Sequence, residues 1–540
     1  MSLRKLENEV IRAMIDLNRD AAAGQITMGL EGELNPIMVS IRQFYGIEIN
    51  DFAATVAKTA LWIAESQMMK ATEDIVHMNL DFLPLKSYVN IVEGNALRMD
   101  WETVAPKDRL NYIMGNPPFV GYSFQNKNQK ADILSIYVDE KGKPYKTAGK
   151  IDYVAGWYFK AAQLMQGTGI RSALVSTNSI TQGEQVAGVW KPLYDRFDVH
   201  IDFAHKTFQW DSEASVKAHV HCVVVGFSCA KNTSTKLLFS GESVQKVKNI
   251  NPYLIEAENI FVENRSEPLC AVPEMVAGNR PADGGHLIIE ADEFASFIRA
   301  EPNAVHYIKR LVGSSEFLNG KERWCLWLVG ISPAEIRKMP EVLKRVEACR
   351  QDRLSSPDVG RRKLADRPAL FREILNPNNF LIVPKVSSEK RRYIPIGFYT
   401  KDTISTDLNF IIPNADLYHF GILTSNVHMA WVRAVCGRMK SDYRYSKDIV
   451  YNNFPWPTPT DEQKAQIERD AQAILDARAL YPDCSLADLY DETAMPPELR
   501  KAHQQNDRDV MAAYGMPVKG TTESGCVAEL MRRYQKLTHS

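Results

Sequence analysis

Four consecutive residues, Asn116-Pro117-Pro118-Phe119, have the types that the exocyclic amine of a nucleobase needs as partners. Such an amine is a poor nucleophile because its lone pair is delocalised into the ring. Two acceptors aimed at its hydrogens favour a tetrahedral, nucleophilic nitrogen in the transition state. The side-chain oxygen of Asn116 and the backbone carbonyl of Pro117 form such a pair. The prolines stiffen the turn that carries them, and Phe119 offers a flat face to a base taken out of a duplex. No general base of high pKa is needed, and the N6 amine of adenine is the expected nucleophile. The plainer alternative is a loop start followed by a core phenylalanine. The apolar run Tyr112-Ile113-Met114-Gly115 just before it reads as a strand, and ligands of parallel sheets lie beyond the carboxyl ends of strands.

The elements that must position this turn follow from periodicity. Leu3, Leu6, Val10, Ala13, Met14 and Leu17 recur at helical spacing, so the chain opens in an amphipathic helix. Phe44–Ile49 is a short apolar run containing a carboxylate, and Phe52 to Met69 has a helical pattern, together a β-α unit. Further strand-like runs span Tyr88–Glu93, Ser172–Ser176, His200–Phe203 and Ala218–Phe227, with a helical pattern at Tyr153–Met165. Strands alternating with helices predict an α/β fold with a mostly parallel, doubly wound sheet. After Cys229 the alternation ends. Bases outnumber acids about two to one between Arg337 and Arg392, a local basic face for a polyanion or else an ordinary solvated surface. Its aromatic neighbours Tyr393, Phe398 and Tyr399 favour nucleic acid. The prolines of Phe454–Pro459 mark a boundary, and a helical tail starts at Asp461.

Composition excludes little more. A 540-residue chain with 45% hydrophobic residues can bury several cores, and a net charge of -1 gives no global attraction to polyanions. Eight cysteines without a CxxC pair argue against a zinc module or a disulfide framework, and fit a reducing cytosol. Neither a leader peptide nor a membrane-length apolar stretch is expected. His219 and His221 alternate away from Cys222 on a strand, so no metal is expected there.

The sequence resembles the gamma-type amino-methyltransferases, and among them the MmeI-like type II restriction-modification enzymes, over nearly its whole length. Phe44-Tyr45-Gly46-Ile47-Glu48-Ile49 resembles that family's second motif. Ile91-Val92-Glu93-Gly94-Asn95-Ala96-Leu97 resembles the third. The resemblance implies that Glu48, Ile49, Asn95 and Ala96 bind S-adenosylmethionine, Glu48 through the ribose hydroxyls. Many relatives carry aspartate where Asn95 stands. Thr207-Phe208-Gln209-Trp210, followed by Ala214, is similar to the eighth motif, whose aromatic residues hold the flipped base; packing is the alternative for Phe208 and Trp210, and a helix-cap role for Glu48. Ser441-Asp442-Tyr443-Arg444-Tyr445-Ser446 and Tyr451-Asn452-Asn453-Phe454-Pro455-Trp456-Pro457 resemble the junction after the family's target-recognition domain.

These likenesses imply a Rossmann-like class I methyltransferase domain over residues 1–229, a mixed α/β target-recognition domain over 230–455 and a helical domain over 456–540. Site-specific adenine-N6 methylation of duplex DNA, in a bacterial or phage-like cytoplasm, is the expected activity. Arg361, Arg362, Lys363, Arg391, Arg392, Tyr443 and Arg444 are the expected DNA contacts. Relatives carry a strand and a glycine-rich cofactor loop before the helix equivalent to Leu3–Leu17, so the first strand of the sheet is expected to be missing. Gly167-Thr168-Gly169 does not replace that loop, because it follows a helix where a cofactor loop follows a strand; it reads as a helix C-cap turn. A second polypeptide supplying the missing part is an expected partner. The alternative function is an impaired fragment or split-enzyme subunit that binds DNA without methylating it. No nuclease arrangement is evident, and Asp461-Glu462-Gln463-Lys464 reads as a helix start.

Overall fold

A computed structural model describes residues 1–22, 37–77, 90–210, 220–231 and 233–539. The chain falls into two compact units. One comprises Met1–Leu174, Leu193–His200 and Phe227–Lys231, and the other holds the rest.

The first unit has the expected β-α alternation. Helix α1 (Ser2–Ala22) precedes strand β1 (Tyr45–Glu48), helix α2 (Asp51–Val76), strand β2 (Asn90–Glu93) and strand β3 (Tyr112–Gly115). Helices α3 (Lys127–Ile136) and α4 (Ala155–Met165) lead to strand β4 (Arg171–Thr177). Strands β1 and β2 pair in parallel, Tyr45 opposite Asn90 through Glu48 opposite Glu93. Strands β3 and β4 also pair in parallel, Tyr112 opposite Arg171 through Gly115 opposite Leu174. Tyr88 and Val89 of the expected β2 run lie outside the described residues. Helix α4 is buried along nearly its whole length, and its Tyr158 stacks on Phe227 with ring centroids 5.2 Å apart. Gly167 (φ 73°) turns the chain after α4, as the sequence suggested.

Helix α1 differs from expectation in what it buries. Leu3, Leu6, Val10, Met14 and Leu17, the periodic apolar stripe, are exposed. The buried side is instead largely polar: Arg4 and Asn8 are buried with Ile11, the Arg4 guanidinium donates to Thr72 Oγ1 at 3.1 Å, and that hydroxyl donates to Asn8 Oδ1 at 2.8 Å. A polar contact of this kind survives burial because the Arg4 terminal nitrogens, the Thr72 hydroxyl and the Asn8 oxygen find partners. Periodicity located the helix and misassigned its inner face.

In the second unit, β5 (His200–Trp210), β6 (Val220–Ser228), β7 (Lys236–Ser240) and β8 (Ser243–Val247) run in the order β6-β5-β7-β8. Strand β5 extends well past the expected Phe203. Gly226 of β6 lies under the Phe203 ring, where a Cβ would come within 2.1 Å of it, so the strand tolerates no side chain there. The stretch 276–444 is mixed α/β, with two four-stranded sheets and a three-stranded one. Beyond it, helices Asp461–Ala479, Pro497–Ala513 and Glu523–His539 form the helical tail. The first starts as read, with Thr460 Oγ1 accepting from Gln463 N.

The basic stretch contains one arginine that serves the core. Arg353, in the helix Pro340–Leu354, is fully buried and spends all five guanidinium donors on carbonyls. Nε reaches Ala282, Nη1 reaches Leu364 and Arg367, and Nη2 reaches Pro281 and Leu370, all at 2.8–3.2 Å. Arg353→Met keeps the apolar stem and abandons five acceptors. It should lower the unfolding free energy by about 3–5 kcal/mol, read as a fall in denaturant midpoint.

Candidate functional site

Asn116 stands one residue beyond Gly115, the last residue of β3 paired with β4. Its side chain is exposed, and its carboxamide has no hydrogen-bond partner among the described residues. Pro117 is buried, and its carbonyl takes no donor among them either; the Pro118 carbonyl accepts from Val120 N at 3.2 Å. Phe119 is half-buried. The two acceptors invoked from sequence are thus both free at the carboxyl end of a strand.

Residues that sequence reasoning passed over hold this turn. Val120 O accepts from Tyr153 N at 2.9 Å, and Asp152 Oδ1 accepts from Tyr122 N at 3.0 Å. Gln125 Nε2 donates to Ile151 O at 2.9 Å, and Asn126 caps α3 by accepting from Gln129 N. Asp152 and Gln125 are buried, so these bonds are shielded from water.

Glu48 and Asn95 stand at neighbouring strand ends because β1 and β2 pair in register, Glu48 opposite Glu93. Gly94 N donates to Glu48 O at 2.8 Å, and a Cβ at Gly94 would meet Met99 Sδ at 2.2 Å, so a larger residue here would have to displace the Met99 side chain. The Glu48 carboxylate accepts from Asn50 N at 3.1 Å through Oε1. Ile49 and, one turn on, Phe52 are 69% and 75% exposed beside it, an apolar surface next to a carboxylate.

Asn95 uses both ends of its carboxamide locally. Oδ1 accepts from Leu97 N at 2.9 Å, and Nδ2 donates to Asp132 Oδ2 at 3.0 Å. Each end retains capacity for one further bond. The next residue, Ala96, offers its carbonyl to Trp101 Nε1 at 2.8 Å.

Asp132 is the hub. It is 3% exposed and also accepts from Arg98 Nε at 2.6 Å and from Tyr153 OH at 2.9 Å. Burial pushes its carboxyl pKa up, but the bonds from Arg98, Asn95 and Tyr153 outweigh burial and hold it below the ordinary value. Burial, and then the bond to Asp132, raise the Tyr153 pKa, so that hydroxyl stays a neutral donor. Asp132 could have been found from its helical position: it stands directly before Ile133 and four residues before Ile136, both buried, where a carboxylate requires partners.

The second unit carries the remaining expected residues. Phe208 and Trp210 lie near the end of β5 with ring centroids 6.2 Å apart, Phe208 half-buried and Trp210 43% exposed. Arg361 pairs with Asp352, and Arg362 Nη1 donates to the Ser356 and Pro357 carbonyls. Lys363 and Arg444 are exposed. Arg391 and Arg392 line a cavity of about 410 Å³ together with Arg433, Tyr443 and Glu523. Tyr443 is 3% exposed beneath the Arg438 guanidinium, 4.2 Å from its ring centroid.

The aromatic neighbours of the basic stretch are occupied with packing. Tyr393 is buried, stacks on His503 and donates to Asp507 Oδ2 at 2.6 Å; Phe398 stacks on Phe420 and Tyr399 on Phe380. Asn452 and Asn453 are buried, and their amides donate to the carbonyls of Arg265 and Glu263, so the junction motif fastens that segment.

Ala214 and His219 lie outside the described residues. Among the described residues no three His, Cys, Asp or Glu side chains gather as a metal site, and no helix is long and apolar enough to cross a membrane.

Comparison with known proteins covers the chain from end to end. Residues 1–240 match the family described as MmeI, DNA-methyltransferase domain; residues 256–458 match MmeI, target recognition domain; residues 459–540 match MmeI, C-terminal domain. DNA methyltransferase A of Bacillus subtilis (strain 168) is 41% identical over 504 residues, 93% of this chain and 56% of that protein's length. The chain therefore spans little more than half of that curated relative. The structure of the type IIL restriction-modification enzyme MmeI in complex with DNA matches all of this chain and 71% of that one, with 42% identity and a TM-score of 0.85.

Asp132→Asn keeps the shape and removes the charge that three donors address. The folded carboxyl titrates below its unfolded value, so its stabilisation is present above about pH 4 and is lost as pH falls through the folded pKa. The variant should lose about 1–3 kcal/mol at pH 7 and show a flatter decline in stability toward acid, measured by denaturant unfolding between pH 3 and pH 7.

Proposed function

Because the chain belongs to the MmeI-like family of restriction-modification methyltransferases, we propose that it methylates the N6 amine of an adenine turned out of site-specific duplex DNA, with S-adenosylmethionine as donor. The observation that carries this reading is the pair of free acceptors, Asn116 Oδ1 and Pro117 O, on a turn fastened by Asp152 and Tyr153.

The residues beyond β1 and β2 suit the donor. Glu48 has one carboxylate oxygen free of partners among the described residues and can accept from vicinal hydroxyls. Exposed Ile49 and Phe52 offer an apolar surface to a purine, and Asn95 and Ala96 stand across from Glu48 where the strands end. The parallel pairs β1–β2 and β3–β4, with helices between strands, support a Rossmann-like class I sheet. S-adenosylmethionine supplies an electrophilic methyl group on a sulfonium.

The chain's own part is to hold the amine. Asn116 Oδ1 and Pro117 O accept its two hydrogens, which draws the nitrogen toward a tetrahedral geometry with its lone pair free. Phe119 stacks on the base and keeps water from its face. After transfer the amine carries an extra proton and is strongly acidic, so it passes that proton to solvent without a dedicated base. Phe208 and Trp210 would steady the base, as the likeness to the family's eighth motif implies. Arg362, Lys363, Arg391, Arg392 and Arg444, with Arg361 and Tyr443 beside them, would hold the phosphates and base edges.

The other reading, DNA binding without independent methylation, gives a different result in one experiment. Purified chain, tritiated S-adenosylmethionine and plasmid DNA should give labelled DNA. Asn116→Ala should cut the rate about 10²–10³-fold while filter binding of DNA is unchanged. A wild-type chain that binds DNA in a salt-sensitive way yet transfers no label would favour the binding-only reading.

A further inference from the structure

Phe124 is 86% exposed, the most exposed of the large apolar side chains among the described residues. It makes no ring stacking or cation contact among them. An exposed phenylalanine in a mobile loop would be unremarkable, but this one is not in such a loop. It ends the short helical turn Tyr122–Phe124, on the segment that continues from Asn116.

Buried polar groups fix that turn on both sides. Asp152 accepts from Tyr122 N before it, and Gln125 donates to Ile151 O directly after it. The Phe124 amide itself donates to Gly121 O at 2.8 Å. The chain then enters α3 through the Asn126 cap, with no slack between the anchor and the helix. The backbone therefore holds a large flat apolar group out in solvent at a set place beside the proposed base pocket. Such pre-organisation is wasted on water and is useful against a surface that opens to receive it.

Resting on the reading of the chain as an adenine methyltransferase, we propose that Phe124 enters the duplex at the target, filling the space the extruded adenine vacates and stacking on the neighbouring bases. Extrusion breaks stacking on both sides of the target. An aromatic ring of this size restores part of it without hydrogen-bond preference. Phe124 is then a positioning residue: it holds the DNA open, whereas Asn116, Pro117 and Phe119 hold the base.

The test uses the full chain and duplex DNA carrying 2-aminopurine at the target position, whose fluorescence rises when the base leaves the stack. Wild type should raise the signal, Phe124→Trp should keep most of the rise, and Phe124→Ala should lose most of it at saturating protein with thermal stability unchanged. On ordinary duplex the alanine variant should fall about tenfold or more in methylation kcat/KM. On duplex with an abasic site opposite the target, where extrusion costs less, the loss should shrink to about threefold or less. An alanine variant that extrudes the base as well as wild type, or an equal defect on both substrates, would overturn the proposal. A wild type that binds the duplex with neither a fluorescence rise nor methyl transfer would instead overturn the reading beneath it.

Discussion

One buried carboxylate, Asp132, ties together both halves of the proposed pocket. Its oxygens receive the Asn95 amide, the Arg98 guanidinium and the Tyr153 hydroxyl. Asn95 belongs to the loop that ends beside Glu48, and the backbone of Tyr153 holds Val120, the residue after Asn116-Pro117-Pro118-Phe119. The proposed donor site and the proposed base site are thus fastened to one charge. Arg98 is largely exposed and its pairing adds little by itself. Tyr153 is buried and Asn95 half-buried, so their bonds to Asp132 are shielded from water and carry the coupling.

The recognition region solves a similar problem in another way. Arg353 collects five carbonyls from Pro281, Ala282, Leu364, Arg367 and Leu370, so segments with little regular structure converge on a single side chain. Rigid loops presented from such a centre are what a surface needs if its exposed cations are to meet phosphates in a fixed register. The near-zero net charge hid this arrangement because acids elsewhere balance the bases.

Much of the first unit was legible in the sequence because strands and helices leave periodic traces and because the base-holding residues are contiguous. The run Tyr112–Gly115 is a strand as read, and Asn116 emerges at its end. The glycine turn after α4 and the helix start at Asp461 were equally plain. What could not be read were contacts between distant residues. Asp152 and Tyr153 look unremarkable in sequence, and their meaning lies in partners tens of residues away. The apolar stripe of α1 suggested an inward face, yet Arg4, Asn8 and Ile11 are the buried residues, the two polar ones bonded through Thr72. Tyr393, Phe398 and Tyr399 suggested a base-stacking surface beside the arginines, but Tyr393 is buried and the half-buried rings of Phe398 and Tyr399 pack on Phe420 and Phe380. Composition near a basic stretch does not say which way a ring points.

The central claim is that the acceptor pair on the turn after β3 selects an adenine amine. The most direct measurement is nucleoside analysis by mass spectrometry of duplex DNA incubated with the purified chain and S-adenosylmethionine. The account predicts N6-methyladenine as the sole new nucleoside, absent with Asn116→Ala. N4-methylcytosine or 5-methylcytosine in its place, or N6-methyladenine formed undiminished by the alanine variant, would contradict it.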